Sequence, residues 1–220
     1  MPFGADEAGK GPVFGSMFAA AVYVEDDSRL PDGLEDSKNL SPTRRQEFAT
    51  ALREDDGIVI GLAEVPVSRI DDPSTDMNSL TVTAHAEAID EAVSDVGDNL
   101  EALSGLCDAC DTDADRFARR VSENCSVEAT VEARHGADGD SPVVAAASVI
   151  AKVARDAHVE EIADEYGEVG SGYPGDRTTR EVLESYVEEY GELPPFARRS
   201  WSTCGDVLAA ASQTGLEDFS

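Results

Sequence analysis

The chain has 220 residues, 41% of them hydrophobic, which is enough to bury one substantial core. It shows neither a basic-then-apolar leader nor an apolar run of membrane-spanning length, so the expectation is one soluble, cytoplasmic domain with no membrane role. Its 46 acidic residues against 17 basic ones give a formal net charge of −29, a balance seen in disordered chains or in proteins of unusual solvents. The regular apolar periodicity below excludes disorder, which leaves a halophilic, high-salt cytoplasm, where at about 1 M salt the Debye length is roughly 3 Å and surface carboxylates scarcely repel.

In chain order, a first strand ends near Asp6 and runs into GADEAGKG. Gly4, Gly9 and Lys10 match most of the GxxxxGK pattern of phosphate-binding loops. However, Gly11 stands where a hydroxyl should hold Mg²⁺, and Asp6 and Glu7 would face the phosphates. Adjacent metal-binding acids followed by a glycine-rich turn fit better. Residues 13–24, apolar and rich in small side chains, predict a buried strand. Ser41 with Pro42 opens a short helix that ends near Asp55 and turns Phe48, Ala49 and Leu52 inward. A strand follows at 57–65, then an amphipathic helix at 78–96 on Leu80, Val82, Ala86, Ile89 and Val93. A short strand at 102–109 leads into acids, and a helix at 112–123 turns Phe117, Ala118 and Val121 inward. Residues 126–133 alternate as a strand does. Pro142 starts the longest helix, to about Tyr166; a Gly/Pro loop carries Tyr173; and helices begin near Arg177 and Ser202. Consecutive early strands and later strands alternating with helices give an α/β sheet covered by helices, with no repeat and no linker long enough to split domains.

Three residue types narrow the chemistry. Only three lysines occur, Lys10, Lys38 and Lys152, each in a motif-like setting, and a composition that avoids lysine should keep it where a compact ammonium is useful. Cys107 and Cys110 form a CxxC without a second pair to complete a zinc site and read as small core residues. The acids Asp6, Glu7, Asp108 and Asp138 close strands or precede a helix. Carboxylates gathered at such ends cannot all stay ionised without cations; two divalent ions about 4 Å apart would neutralise them and clamp a phosphodiester.

The segments DEAGKGPVFG, DSKNLSPTRR, DACDTDADRF, RHGADGDSPVVAAASVIAKVARD and GSGYPGDRTTR, in this order, resemble the type II ribonucleases H (ribonuclease HII), closest to the archaeal form, from Phe3 to about Trp201. The resemblance implies a ribonuclease H-like fold: a mixed central sheet flanked by helices, as one catalytic domain over 1–220 with a C-terminal helical extension from about 177. It implies hydrolysis of the RNA strand of RNA–DNA hybrids, and cutting at single ribonucleotides in duplex DNA, with two Mg²⁺ or Mn²⁺ ions and 5′-phosphate and 3′-hydroxyl products.

Carried over by position, the metal ligands are Asp6, Glu7, Asp108 and Asp138. Asp108 is preferred to Asp111 because the family's motif places the catalytic acid first in DxxD. Gly9, Lys10 and Gly11 match the turn whose backbone reads the ribose 2′-hydroxyl, and Tyr173 the tyrosine that packs on the sugar at the RNA-to-DNA junction. Ser37 and Lys38 match phosphate-holding residues, and Lys152 and Arg155 lie one helical turn apart. The chain departs from the family at Lys10, where arginine is usual, and at Gly136, where a lysine is usual and Arg134 could substitute. Two other readings stand beside this one: another two-metal nuclease or strand-transfer enzyme of the same fold, and a catalytically silent nucleic-acid-binding module, which would not need four convergent acids. The expected state is a monomer, with TGLEDFS at 214–220 a candidate sliding-clamp tail.

Overall fold

The computed structural model describes residues 1–34, 40–94 and 103–217, the side chains of 214–217 excepted, and these divide into two compact units. The first comprises 1–10, 17–65 and 76–155. Its sheet begins with β1 (Phe3–Ala8), β2 (Met17–Val24) and β3 (Ile58–Val65), paired antiparallel, and β4 (Leu103–Asp108) and β5 (Ala129–Arg134) then add in parallel. In the order β3-β2-β1-β4-β5, each strand added in parallel is reached by a crossover. Helix α3 (Met77–Val93) supplies it between β3 and β4, and α4 (Ala114–Asn124) between β4 and β5.

The acidic composition serves the helix starts. Asp76 accepts from the N–H groups of Asn78 and Ser79, and Asp113 from that of Arg116, each satisfying amides that the first turn leaves without partners. Ser41 caps α1 (Pro42–Glu54) in the same way, as its pairing with Pro42 predicts. Every residue of β2 is buried, and its MFAAAVYV sequence alternates between the two helix layers. Ala20, Val22 and Val24 meet α1 and α5 (Pro142–Tyr166) in a core built heavily of alanine and valine.

The approach of α5 to the sheet depends on Gly4. A Cβ at Gly4 would lie 2.6 Å from the backbone nitrogen of Val144, and backbone cannot step aside. Gly4→Ala is therefore expected to destabilise the protein by about 1–3 kcal/mol, measured by denaturant unfolding at high salt, since overpacked cores distort by that much.

The second unit comprises 11–16, 66–75 and 156–220, with α2 (Val67–Ile70), the end of α5, α6 (Arg177–Tyr190) and α7 (Ser202–Glu217) around a core that includes Val13, Phe14, Ile162, Leu183, Val187 and Phe196. Here the structure corrects the sequence reading. Residues 13–16 do not extend β2; Phe14 instead forms an isolated bridge with Ala197, and Gly15, at φ +77°, turns the chain in the left-handed region that glycine tolerates. No helix among the described residues is long and apolar enough to cross a membrane.

Candidate active site

Successive strand residues point to opposite faces, so Asp6 and Glu7 cannot share one. Asp6 lies on the α5 side, as Gly4 does. The parallel register, Gly4 opposite Leu106 and Ala5 opposite Cys107, places Asp108 beside it on the same face. The Asp108 carboxylate accepts the Ala137 N–H at 2.9 Å, which fastens a 3-10 turn over Ala137–Gly139. Gly136, at φ +69°, makes the entry to that turn. Asp138 rides on it. Carboxylate oxygens of Asp6, Asp108 and Asp138 thereby come within 4.8 Å of one another, with Asp6 and Asp138 buried.

Gathering like charges in a dry place has a measurable cost. Burial pushes Asp6 up to about 7, reinforced by the Glu7 and Asp108 carboxylates and opposed by hydrogen bonds from Ser148 and the Glu7 N–H. Asp108 is raised too, first by burial and then by Asp138 and Glu7, against the bond from Ala137. A purely carboxylate donor set of this kind suits hard divalent cations, and such a cation would supply the missing positive charge. The residues present therefore fit a metal site.

Three of the four expected acids converge. The fourth, Glu7, faces α3, where its Oε2 lies 2.9 Å from Nε2 of His85, a side chain with no exposure that stands edge-on to Phe117. A carboxylate only accepts, so Nε2 carries the hydrogen of this bond. The His85 Nδ1 is buried without a hydrogen-bond partner among the described residues. If Glu7 ligates the ions, as the family resemblance implies, His85→Leu is expected to raise the divalent-ion concentration needed for half-maximal activity by about 10-fold, since an outer-shell partner of a ligand typically contributes that much. His85→Gln, which keeps a donor, should lose less; calorimetric titration with Mn²⁺ provides the second readout.

The other sequence candidates fall in several places. Asp111, the competitor of Asp108, is paired with Arg116, whose Nε donates to it at 3.1 Å, and this partner pulls its carboxyl down to about 2. Gly9 adopts φ +88°, so the turn needs its glycine. The Lys10 ammonium donates to Asn78 Oδ1 and to the Cys110 carbonyl, 3.1 Å each, linking the turn to α3 and to the loop after β4. Lys152 donates to Ser148 Oγ at 2.7 Å, Arg155 is buried on the same helix, and Arg134 is exposed at the end of β5. Within the second unit, Tyr173 is 44% exposed and its ring lies 3.7 Å from the place a Cβ on Gly11 would take. Ser37 and Lys38 lie outside the described residues. Burial raises the thiols of Cys107 and Cys110, the latter to about 12, and keeps them protonated and inert.

Sequence reasoning missed Ser148 and His85. The signal for Ser148 is a lone hydroxyl in the apolar run AAASVIAK, four residues before a rare lysine. His85 sits one turn from Thr81 and Ile89 on the inner face of its helix, a position that a satisfied core histidine would share.

Two acids at the ends of adjacent parallel strands and a third on the 3-10 turn beside them give this mixed sheet a candidate site for divalent metal. The sequence model of the Ribonuclease HII family matches residues 3–204. A ribonuclease HII of the halophilic archaeon Haloarcula marismortui is 57% identical over 219 residues, covering 100% of both chains. Among solved structures, the ribonuclease H2 from Pyrococcus horikoshii aligns with a TM-score of 0.82 at 35% identity, over 96% of this chain and 98% of that one. The ribonuclease HII of a PCNA complex from Archaeoglobus fulgidus aligns at 0.81 and 34% identity, over 94% and 96%. The chain belongs to the ribonuclease HII family and is a ribonuclease H endonuclease.

Proposed function

We propose that this enzyme hydrolyses the RNA strand of RNA–DNA hybrids and cuts at single ribonucleotides embedded in duplex DNA, with two Mg²⁺ or Mn²⁺ ions and 5′-phosphate and 3′-hydroxyl products. The convergence of Asp6, Asp108 and Asp138 within 4.8 Å carries the proposal. When bound, the ions supply a polarised water and neutralise charge on the scissile phosphate and leaving oxygen. The Asp6 carboxyl, which burial holds up at about 7 with no cation present, would give up its proton as the cations bind. Ser148, backed by Lys152, orients that carboxylate, and the bond from Ala137 fixes Asp108 as Asp138 is presented. Glu7 stands outside the group of three, held by His85 on the α3 side, and would join the ligand set only once ions are bound. The 1–220 chain acts as one catalytic domain, with residues from about 177 as its helical extension.

Gly9, Lys10 and Gly11 read the ribose through backbone groups, and Tyr173 supplies a platform for the adjoining sugar. Ser37, Lys38, Arg134, Lys152 and Arg155 complete the phosphate-binding set. Because the Archaeoglobus relative was solved with PCNA, the tail at 214–220 is proposed as a sliding-clamp contact of an otherwise monomeric enzyme acting in the cytoplasm.

Two experiments test this reading. Offered an RNA–DNA hybrid, a duplex with one ribonucleotide and an all-DNA duplex, the protein should cut the first two and spare the third. Cutting of all three would favour a general two-metal nuclease, which has no use for a ribose reader. For Tyr173, the Ala variant should lose on the order of 1–3 kcal/mol of binding to a single-ribonucleotide duplex, by analogy with aromatic–base stacking, and Phe clearly less. Equal affinity of Tyr173→Ala and wild type would remove the platform role.

A further inference from the structure

Gly11 is exposed and precedes Pro12, whose ring has no N–H to anchor the peptide between them. A glycine so placed should swivel, yet its carbonyl is held. The Nε1–H of Trp201 donates to the Gly11 carbonyl at 3.2 Å, and the Arg198 guanidinium lies 4.9 Å from the centroid of that indole. Arg198 has no exposure. Its Nε–H donates to the Gly15 carbonyl and its backbone N–H to that of Val13, 2.8 Å each. Removing a guanidinium from water is expensive, and an apolar residue would fill the same space at less cost, so the burial has to be explained by what the fork holds.

What it holds is the segment from Gly11 to Gly15. The Gly15 N–H donates to the Phe196 carbonyl and the Val13 N–H to the Gly172 carbonyl, 2.8 Å each, and Gly172 immediately precedes Tyr173. The Gly172 N–H in turn donates to Thr179 Oγ1 at 2.9 Å. One scaffold thus fixes both the Gly11 backbone and the base of the Tyr173 loop, whose ring stands beside Gly11.

We infer that Trp201, seated on Arg198, is a positioning residue for substrate discrimination: its indole N–H locks the Gly11 peptide plane so that the Gly11 backbone and the Tyr173 platform keep a fixed separation. The inference rests on the proposed ribose-reading role of the Gly9–Gly11 turn. Pre-organising the plane removes an entropy cost that a free glycine would meet on every binding event.

The test replaces Trp201 with β-(3-benzothienyl)alanine, which keeps the shape and substitutes sulfur for the N–H. Affinities for a single-ribonucleotide duplex and for the same duplex in all-DNA form are measured by fluorescence anisotropy, with Ca²⁺, in molar KCl. Losing one hydrogen bond of about 1 kcal/mol should lower the ribo-over-deoxy affinity ratio by up to about five-fold and the melting temperature slightly, with all-DNA affinity unchanged. A parallel fall of both affinities, or an unchanged ratio, overturns the inference, because a merely structural tryptophan would act that way. Absence of any ribo preference in the wild type overturns the ribose-reading role itself and the inference with it, a failure recognisable before any variant is made. Should the substituted protein not fold, the wild type answers alone. Trp201 is the chain's one tryptophan, so its single indole N–H resonance must shift with the ribonucleotide-containing duplex and not with the all-DNA duplex. Identical responses would overturn the inference equally.

Discussion

Asp6→Asn should reduce cleavage by roughly 10³-fold or more and yet raise the melting temperature of the protein in EDTA at pH 8. The first effect follows if Asp6 is the charged ligand proposed, since such a ligand's share of transition-state stabilisation is several kcal/mol, about 1.4 kcal/mol per factor of ten. The second follows from the sign of the titration. Burial lifts the Asp6 carboxyl to about 7 in the folded protein from its ordinary value of 3.8, so between these limits the folded state binds the proton more tightly than the unfolded one. Stability without divalent ions therefore falls as pH rises from about 4 to about 7, and above that the full penalty, at most about 4 kcal/mol, is present. Asparagine keeps an oxygen for the Glu7 N–H, 2.8 Å from Asp6 in the wild type, and carries no charge. The variant's advantage should shrink to nothing near pH 4, and added Mg²⁺ should stabilise the wild type much more than the variant. A variant that melts below the wild type at pH 8 in EDTA would contradict the carboxylate repulsion.

Both folded fraction and activity should rise with KCl into the molar range. A net charge of −29 must be confined to one small protein, and the core that opposes it leans on small side chains: Ala20, Ala49 and Ala145–Ala147 occupy its centre. Each buried alanine removes less apolar area from water than a leucine would, so little surplus is available to offset repulsion. At about 0.1 M salt the Debye length is about 10 Å and the surface carboxylates act together; at about 1 M it is roughly 3 Å and they do not. Salt also weakens phosphate contacts by reducing the entropy of counterion release. With a net charge of −29, little long-range attraction to a polyanion is available to lose, and the gain in folded protein wins. Far-UV circular dichroism in EDTA at low salt should show partial unfolding. A fully folded protein most active below about 0.1 M KCl would remove the halophilic reading and leave the nuclease assignment standing.

Much of this architecture was legible because local signals agreed. The start of α1 was readable from Ser41 and Pro42, where capping chemistry marks it, and α5 from Pro142 to Tyr166, where a first-turn proline opens a sustained apolar run. Residues 13–16 misled for a physical reason: Val13 and Phe14 are fully buried, but in the second unit's core, and hydrophobicity reports burial without saying against what. The convergence of Asp6 with Asp108 depends on the parallel register of β1 and β4, a pairing between residues about 100 apart that no local pattern encodes. Strand alternation, by contrast, already separates Glu7 from Asp6, and the contact with His85 only adds the partner. Ser148 and Trp201 escaped notice because a polar atom inside a packed element looks the same in sequence whether it satisfies the fold or supports a site.

The most direct measurement is the chemistry of the cut ends. A duplex carrying one ribonucleotide, incubated with the protein in molar KCl with Mg²⁺ or Mn²⁺, should give one cut at the ribonucleotide with 5′-phosphate and 3′-hydroxyl termini, and none in EDTA. Those ends arise when water is the nucleophile and the carboxylate group at Asp6, Asp108 and Asp138 holds the cations that activate it. A 2′,3′-cyclic phosphate terminus, or cutting that persists in EDTA, would mean that the ribose oxygen attacks without them and would contradict the metal-site reading.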